Sequence, residues 1–99
     1  MTAIDLFNLG NQFQNEGRVE LAIELWKRAC QLDLMFGPPH LHLHNVYKIQ
    51  GNIPAARQEL ISFLNCPVTG FSIDLVPKAK AELAELDKAL VPTQLQPPK

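Results

Sequence analysis

The chain has 99 residues, of which 46% are apolar and 19% charged, and its formal net charge is -1. This length and composition fit one small globular domain and are too apolar for an intrinsically disordered chain. Because the charges nearly cancel and are scattered, the chain offers no basic field for nucleic acid or for an anionic membrane surface, and we expect neither as a partner.

The N-terminal residues lack the basic segment and the apolar run of a signal peptide. No stretch approaches the roughly 18 apolar residues of a membrane helix. The two cysteines, Cys30 and Cys66, belong to no CxxC motif, so neither a disulfide framework nor a zinc ribbon is supported. We therefore expect a cytoplasmic protein with two reduced thiols.

Two amphipathic helices open the chain, joined by a turn at Glu16-Gly17. The first is predicted from about Ala3 to Asn15 and the second from about Val19 to Asp33, because apolar residues recur at helical spacing in both. The apolar stripe of the first helix comprises Leu6, Leu9 and Phe13, and that of the second comprises Leu21, Ala22, Leu25, Trp26, Ala29 and Leu32.

Three histidines then alternate with leucine in the stretch His40-Leu41-His42-Leu43-His44. In a strand the three imidazoles would share one face, whereas in a helix His40 and His44 align and His42 points roughly the opposite way. Gly37 and the two prolines after it can begin a helix without loss of an amide hydrogen bond. The histidine stretch is therefore predicted to be helical.

A second break at Gly51 precedes the fourth helix. Asn52 is a suitable N-cap for this helix, which carries Pro54 in its first turn and runs to about Asn65. A loop is predicted from Cys66 to Ile73.

The last predicted helix spans residues 75–90, with Asp74 as its cap. Its apolar stripe comprises Leu75, Ala79, Leu83, Leu86 and Leu90, and the opposite face carries Lys78, Lys80, Glu82, Glu85 and Lys88. Residues 91–99 contain two further prolines after Pro92 and show no periodicity, so we expect a disordered tail.

Gly17 and Gly51 each stand in a polar break between apolar segments, and the interval between them suggests an internal repeat with a period of about 34 residues. A shift of the chain by this interval pairs Leu9 with Leu43, Asn11 with Asn45, Phe13 with Tyr47, Val19 with Ile53, and Ala22 with Ala56. The agreement of small, aromatic and amide residues at a single shift supports the repeat.

Helix pairs with this period resemble the tetratricopeptide repeat, whose pattern is W-x2-L-G-x2-Y, then A-x3-F, then P. The first unit matches through Leu6, Leu9-Gly10, Phe13, Ala22 and Trp26, with Leu34 in place of the closing proline. The second unit matches more loosely through His40, Leu43-His44, Tyr47, Ala56 and Leu60. The resemblance implies an all-α fold, a right-handed α-solenoid of antiparallel helix pairs with about five helices.

The resemblance predicts one domain over residues 3–90. Repeat 1 covers about 3–36, repeat 2 about 37–70, and a capping helix about 75–90. The motif residues have packing roles, since small side chains such as Gly10, Ala22 and Ala29 let paired helices approach closely and Trp26 fills the core beside them.

The histidines are weak candidates for a metal site. His40 and His44 are one helical turn apart and can coordinate a metal ion together. A zinc site needs at least a third protein ligand, and no HExxH glutamate or nearby cysteine supplies it. We expect the histidines to have structural roles and to bind no metal. Histidine-dependent metal binding is a third and less favoured alternative.

Catalytic motifs are scarce. The only serines are Ser62 and Ser72, no glycine-rich phosphate loop is present, and no carboxylate pair has neighbours of contrasting environment. We expect the chain not to be an enzyme and to need no cofactor.

In tetratricopeptide-repeat proteins, the first helix of each pair lines a concave groove that receives an extended peptide or a partner helix. The resemblance places the following residues in that groove: Phe7, Asn11, Gln14, Asn15, Leu41, His42, Asn45, Lys48 and Ile49. The amides of Asn11 and Asn45 can each donate to and accept from a peptide backbone, although solvated asparagines are also common on polar helix faces.

Some members of the family bind a C-terminal carboxylate with a lysine three residues before a Gly-Asn pair. This chain has Phe7 at that position, so the carboxylate clamp is not expected. Phe7, Leu41 and Ile49 make the groove partly apolar and suit a hydrophobic segment or an amphipathic helix. We therefore expect a non-enzymatic adaptor that binds a protein or peptide partner. The alternative is a self-associating assembly module whose groove is filled by a second copy, because two repeats bury little surface.

Overall fold

The computed structural model describes residues 1–67 and 73–90, which form five α-helices. These are α1 (Ala3–Asn15), α2 (Val19–Leu32), α3 (Pro38–Ile49), α4 (Ile53–Asn65) and α5 (Leu75–Leu90). The extensive contacts join consecutive helices, and the prediction of an all-α array of five helices is confirmed for this part of the chain. The predicted tail, residues 91–99, lies outside the described residues. None of the described helices is long and apolar enough to cross a membrane.

Local sequence explains where the helices begin. Thr2 and Asp5 form a capping box at α1, in which the Thr2 hydroxyl accepts from the Asp5 amide and the Asp5 carboxylate accepts from the Thr2 amide. These hydrogen bonds lower the pKa of Asp5. At α4 the side chain of Asn52 accepts from the amide of Ala55 across 3.3 Å, which confirms the predicted N-cap. Gly37 precedes two prolines in the first turn of α3.

Helices α1 and α3 each end in a turn of the same type, at equivalent positions of the two helix pairs. Gly17 and Gly51 adopt left-handed conformations with φ of 81° and 80°. In each turn the amide after the glycine donates to a carbonyl five residues earlier, from Arg18 to Phe13 and from Asn52 to Tyr47, both across 2.8 Å. This is the Schellman arrangement, which favours glycine at the left-handed position. The repeat bounds at 3–36 and 37–70 stay a prediction.

Two clusters of buried side chains fill the array. The first joins α2 to α3 and contains Ala22, Ile23, Trp26, Leu43 and Val46. The second joins α4 to α5 and contains Ala56, Leu60, Phe63, Ala79 and Leu86. Tyr47 packs against both clusters, so the core is continuous along the array.

Helices α1 and α2 approach each other closely at Gly10. A Cβ added to Gly10 would lie 2.6 Å from Nε1 of Trp26, whose side chain is completely buried. Ala22 and Ala29 are also completely buried. The packing roles predicted for these residues are confirmed.

The apolar stripe predicted for α2 is wrong at both of its ends. Leu21 and Leu32 are 46% and 57% exposed, whereas Ile23, which lay outside the predicted stripe, is buried. The reason is that Ile23 belongs to the cluster that α2 shares with α3, and this second neighbour rotates the buried side of the helix away from Leu21.

Candidate partner-binding face

Helix α3 carries one partly exposed side, which we call the α3 face. It comprises Leu41, His42, Asn45, Lys48 and Ile49. Because each residue advances an α-helix by about 100°, these five side chains fall within roughly one third of its circumference. Asn45, Lys48 and Ile49 are exposed, and Ile49 reaches 84%. The opposite side of α3 is buried at Leu43, His44 and Val46.

One flank of the α3 face lies against α1. The imidazole of His42 meets the ring of Phe7 edge-on, with 4.8 Å between centroids, and its other side meets Trp26 at 5.2 Å. His42 Nδ1 is 3.3 Å from the carbonyl oxygen of Pro38, so in the neutral ring this nitrogen carries the proton and donates. Burial lowers the pKa of His42. The predicted residues Phe7 and His42 are therefore brought together, and they are partly used in internal packing.

The other flank lies against α5. The ammonium group of Lys48 donates to Oε2 of Glu82 across 2.6 Å. Leu41 is half-buried against the cluster that includes Ala79 and Leu86 of α5. Asn45 lies between these two flanks and is open to solvent.

The predicted residues on α1 have unequal environments. Asn11 is half-buried, and its Oδ1 accepts a hydrogen bond from Nε1 of Trp26 across 3.1 Å. Phe7 also packs edge-on against Phe36, with 5.6 Å between centroids. Gln14 is half-buried and Asn15 is exposed. Of the groove residues predicted on α1, Phe7 and Asn11 are thus tied to the core, whereas Asn15 is exposed.

The three histidines diverge. His40 Nδ1 is 2.7 Å from Oε1 of Glu59 and 3.7 Å from Sγ of Cys30, between α2 and α4. His44 is buried, and its Nδ1 donates to the carbonyl of Ala56 across 3.1 Å. In residues 1–67 and 73–90, no group of three or more histidine, cysteine, aspartate or glutamate side chains is arranged so that it could hold a metal ion. Each imidazole has its own structural partner.

The contact of His40 with Glu59 and Cys30 has the residue types of a catalytic triad but not its chemistry. The same ring nitrogen of His40 faces both the carboxylate and the thiol. Burial, together with the negative charge of Glu59, raises the pKa of Cys30 to about 12. A thiol with this pKa stays protonated at neutral pH and is a poor nucleophile.

Two acidic partners were missed in the sequence. Glu59 is paired with His40, and Glu82 with Lys48. Lys48 and Glu82 are 34 residues apart, which is the spacing of the repeat. The register itself could therefore have indicated this pair, because equivalent positions of stacked helix pairs are neighbours in space.

Comparison of the chain with protein-family models, with curated proteins and with solved structures gave no significant match.

Proposed function

We propose that this chain is a non-enzymatic protein-interaction module of the tetratricopeptide-repeat type, which binds a peptide or a partner helix along the α3 face. The observation that carries the proposal is the placement of that face between two neighbours. Helix α1 borders it at His42 and α5 borders it at Lys48, while Asn45 and Ile49 between them are exposed. We infer that these three helices form the walls and floor of a concave, partly apolar groove.

The exposed residues of the groove supply complementary kinds of contact. Ile49 is apolar and 84% exposed, so covering it would contribute on the order of 2 kcal/mol of hydrophobic free energy. The amide of Asn45 can donate to and accept from the backbone of a bound segment. Lys48 and Glu82 add one charge of each sign at the rim. An amphipathic helix or an extended segment with an apolar anchor fits this set.

The cysteines support an intracellular role for the module. Cys30 and Cys66 are both free thiols, and unpaired cysteines are typical of reducing compartments. We propose that the chain acts in the cytoplasm.

A peptide-display experiment tests the proposal directly. Peptides selected on the wild-type chain from a random library are measured by calorimetry against Asn45→Ala and Ile49→Asp. We expect Ile49→Asp to weaken binding at least about tenfold, since apolar anchors in a groove dominate affinity. Two matched controls, Leu34→Asp and Asn65→Ala, change exposed residues outside the α3 face and should bind within about twofold of the wild type.

Circular dichroism establishes that every variant keeps its helices. If the selected peptides bind Ile49→Asp as tightly as the wild type and lose affinity for Leu34→Asp, the binding site lies elsewhere and the proposal is wrong. Failure to select any peptide against the folded wild-type chain also counts against a peptide-binding groove.

A further inference from the structure

The first helix pair carries a second apolar surface, on the side away from α3. It consists of five leucines, which we call the leucine face: Leu6, Leu9, Leu21, Leu25 and Leu32. Leu21 and Leu32 are 46% and 57% exposed and the other three are half-buried. None of the five packs against either buried cluster in the described part of the chain.

Helical spacing defines the position of this surface. Leu21, Leu25, Arg28 and Leu32 follow one another at intervals of four, three and four residues and form a single stripe on α2. Trp26 lies roughly 130° around the same helix, within the core. On α1, Leu9 lies about 200° around the helix from Phe7, and Phe7 contacts His42 of α3. The leucine face therefore turns away from the rest of the array.

In the second helix pair, the residues equivalent to Leu6 and Leu9 of the leucine face pack against the preceding helix. A shift by one repeat maps Leu6 onto His40 and Leu9 onto Leu43. His40 contacts Cys30 of α2, and Leu43 is 1% exposed in the cluster with Trp26. These are the positions through which the second pair packs on the helix that precedes it. In the first pair the same positions are leucines that lack such a covering helix in the described residues.

The two ends of the array differ in polarity. At the far end, α5 presents the exposed charges of Lys78, Lys80, Glu85 and Lys88, as expected for a terminal helix that meets water. The α1–α2 end presents leucine instead. A helical array needs a polar surface or a partner at each end.

Two charges, one within the stripe and one beside it, indicate the partner. Glu24 and Arg28 are exposed, and neither forms an ion pair within residues 1–67 and 73–90. If two copies of α2 pair antiparallel across a two-fold axis, Leu21 of one copy meets Leu32 of the other. The same axis sets Leu25 opposite Arg28 and brings Glu24 to within about 1.5 Å of the level of Arg28 of the second copy, and symmetry repeats this contact. The α2 surface can thus pair with itself through Leu21 and Leu32 and through the opposite charges of Glu24 and Arg28.

We propose that the leucine face binds a second copy of this chain, with the two α2 helices antiparallel across a two-fold axis. The interface lies at the α1–α2 end of the array and shares no residue with the α3 face, so both grooves of the dimer stay open. The dimer is independent of the proposed peptide-binding function and adds to it, since a dimer presents two grooves to a partner.

Sedimentation equilibrium of the 99-residue chain tests the proposal with charge variants. The wild type should be a dimer, and Leu25→Asp should be a folded monomer. Glu24→Lys and Arg28→Glu should each raise the dimer dissociation constant at least about tenfold, because each change places two like-charge contacts in the interface. An equimolar mixture of Glu24→Lys and Arg28→Glu should regain the wild-type dissociation constant, since the heterodimer restores both opposite-charge contacts.

Three results would overturn the proposal. They are a monomeric wild type at about 0.1 mM, a dimer that neither charge variant weakens, and a mixture that stays monomeric. Ile49→Asp is the matched control on the α3 face and should leave the dimer intact. A dimer lost on Ile49→Asp would place the second copy in the groove instead. Circular dichroism confirms folding, and peptide binding measured separately distinguishes failure of the dimer from failure of the groove.

Discussion

The indole nitrogen of Trp26 donates a hydrogen bond to Oδ1 of Asn11 across 3.1 Å. Trp26 is completely buried, so the amide oxygen satisfies the only polar side-chain atom of the largest core residue. Asn45 is the equivalent of Asn11 one repeat later, yet it faces solvent. The difference arises because Leu60, which has no donor, stands at the position equivalent to Trp26.

Asn11→Ala should therefore destabilise the fold. It leaves the indole N–H buried without an acceptor, which costs about 1–3 kcal/mol in the free energy of unfolding. Asn45→Ala is the matched control and should change that free energy by less than about 0.5 kcal/mol. Urea denaturation followed by tryptophan fluorescence measures both. Equal effects of the two substitutions would contradict the structural role of Asn11.

Gly10→Ala should destabilise by about 1–3 kcal/mol, because the new methyl group overlaps the indole of Trp26. Alanine by itself favours a helix over glycine by about 1 kcal/mol, so a net loss would isolate the steric effect. Gly10→Leu should cost more. Asn8→Ala, at an exposed position of the same helix, is the control and should be nearly neutral. Thermal melts of Gly10→Ala that match or exceed the wild type would remove the close-approach explanation.

Gly17→Ala and Gly51→Ala should cost the same amount, about 1–2 kcal/mol each, since both residues are left-handed and an alanine there is strained. No atom lies within 4 Å of a Cβ added at either site, so the cost comes from the backbone alone. Asparagine tolerates this conformation better, and the two Asn variants should lose less stability. Chemical denaturation gives all four values, and clearly unequal alanine costs would show that the two turns differ.

Acidification should weaken the fold through His42. Burial between Phe7 and Trp26 lowers the pKa of His42 below its ordinary value of 6.5, so the unfolded chain binds a proton at this residue more readily than the folded chain. The stabilising contribution is complete above about pH 6.5 and is lost as pH falls through the lower, folded-state pKa. Unfolding free energies of the wild type and His42→Gln between pH 7.5 and 5 should converge toward low pH. An NMR titration that gives His42 a raised pKa would contradict this sign.

Cys30 should resist alkylation in the folded chain. With its pKa raised to about 12 by burial, the thiolate fraction at pH 8 is very small, and carboxamidomethylation should be at least about 100-fold slower than in the urea-unfolded chain. Burial also raises the pKa of Cys66, which should react more slowly than in the unfolded chain but faster than Cys30. Mass spectrometry of digests at successive times separates the two sites. Equal native rates would argue against the burial of Cys30.

Helix positions were predictable because they depend on local signals. Glycines, prolines and Asn52 mark the ends, and the starts and stops follow from hydrogen-bonding needs that the sequence displays. The buried side of α2 was less predictable at Leu21 and Leu32, since leucine in a stripe indicates an apolar face but not which neighbour covers it.

The groove residues show the same limit. The resemblance, together with the helical stripe, placed Phe7, Asn11 and His42 on the open side of the first helix of each pair. Their contacts with Phe36 and Trp26 depend on how α1 and α3 pack on α2, which the sequence of one helix cannot reveal. The assignment of the remaining groove residues as partner contacts stays a prediction.

The extensive contacts of the array join each helix to the next one along the chain. Most native contacts are therefore close in sequence, which favours rapid folding. The stability of the array is then approximately a sum of contributions from each helix pair and its neighbours. Such a molecule can open at one end while the other end stays formed. A segment bound along the α3 face would touch α1, α3 and α5 together. Local unfolding at one end of the array would then break contacts of the bound segment, so the stabilities of the two ends would become coupled.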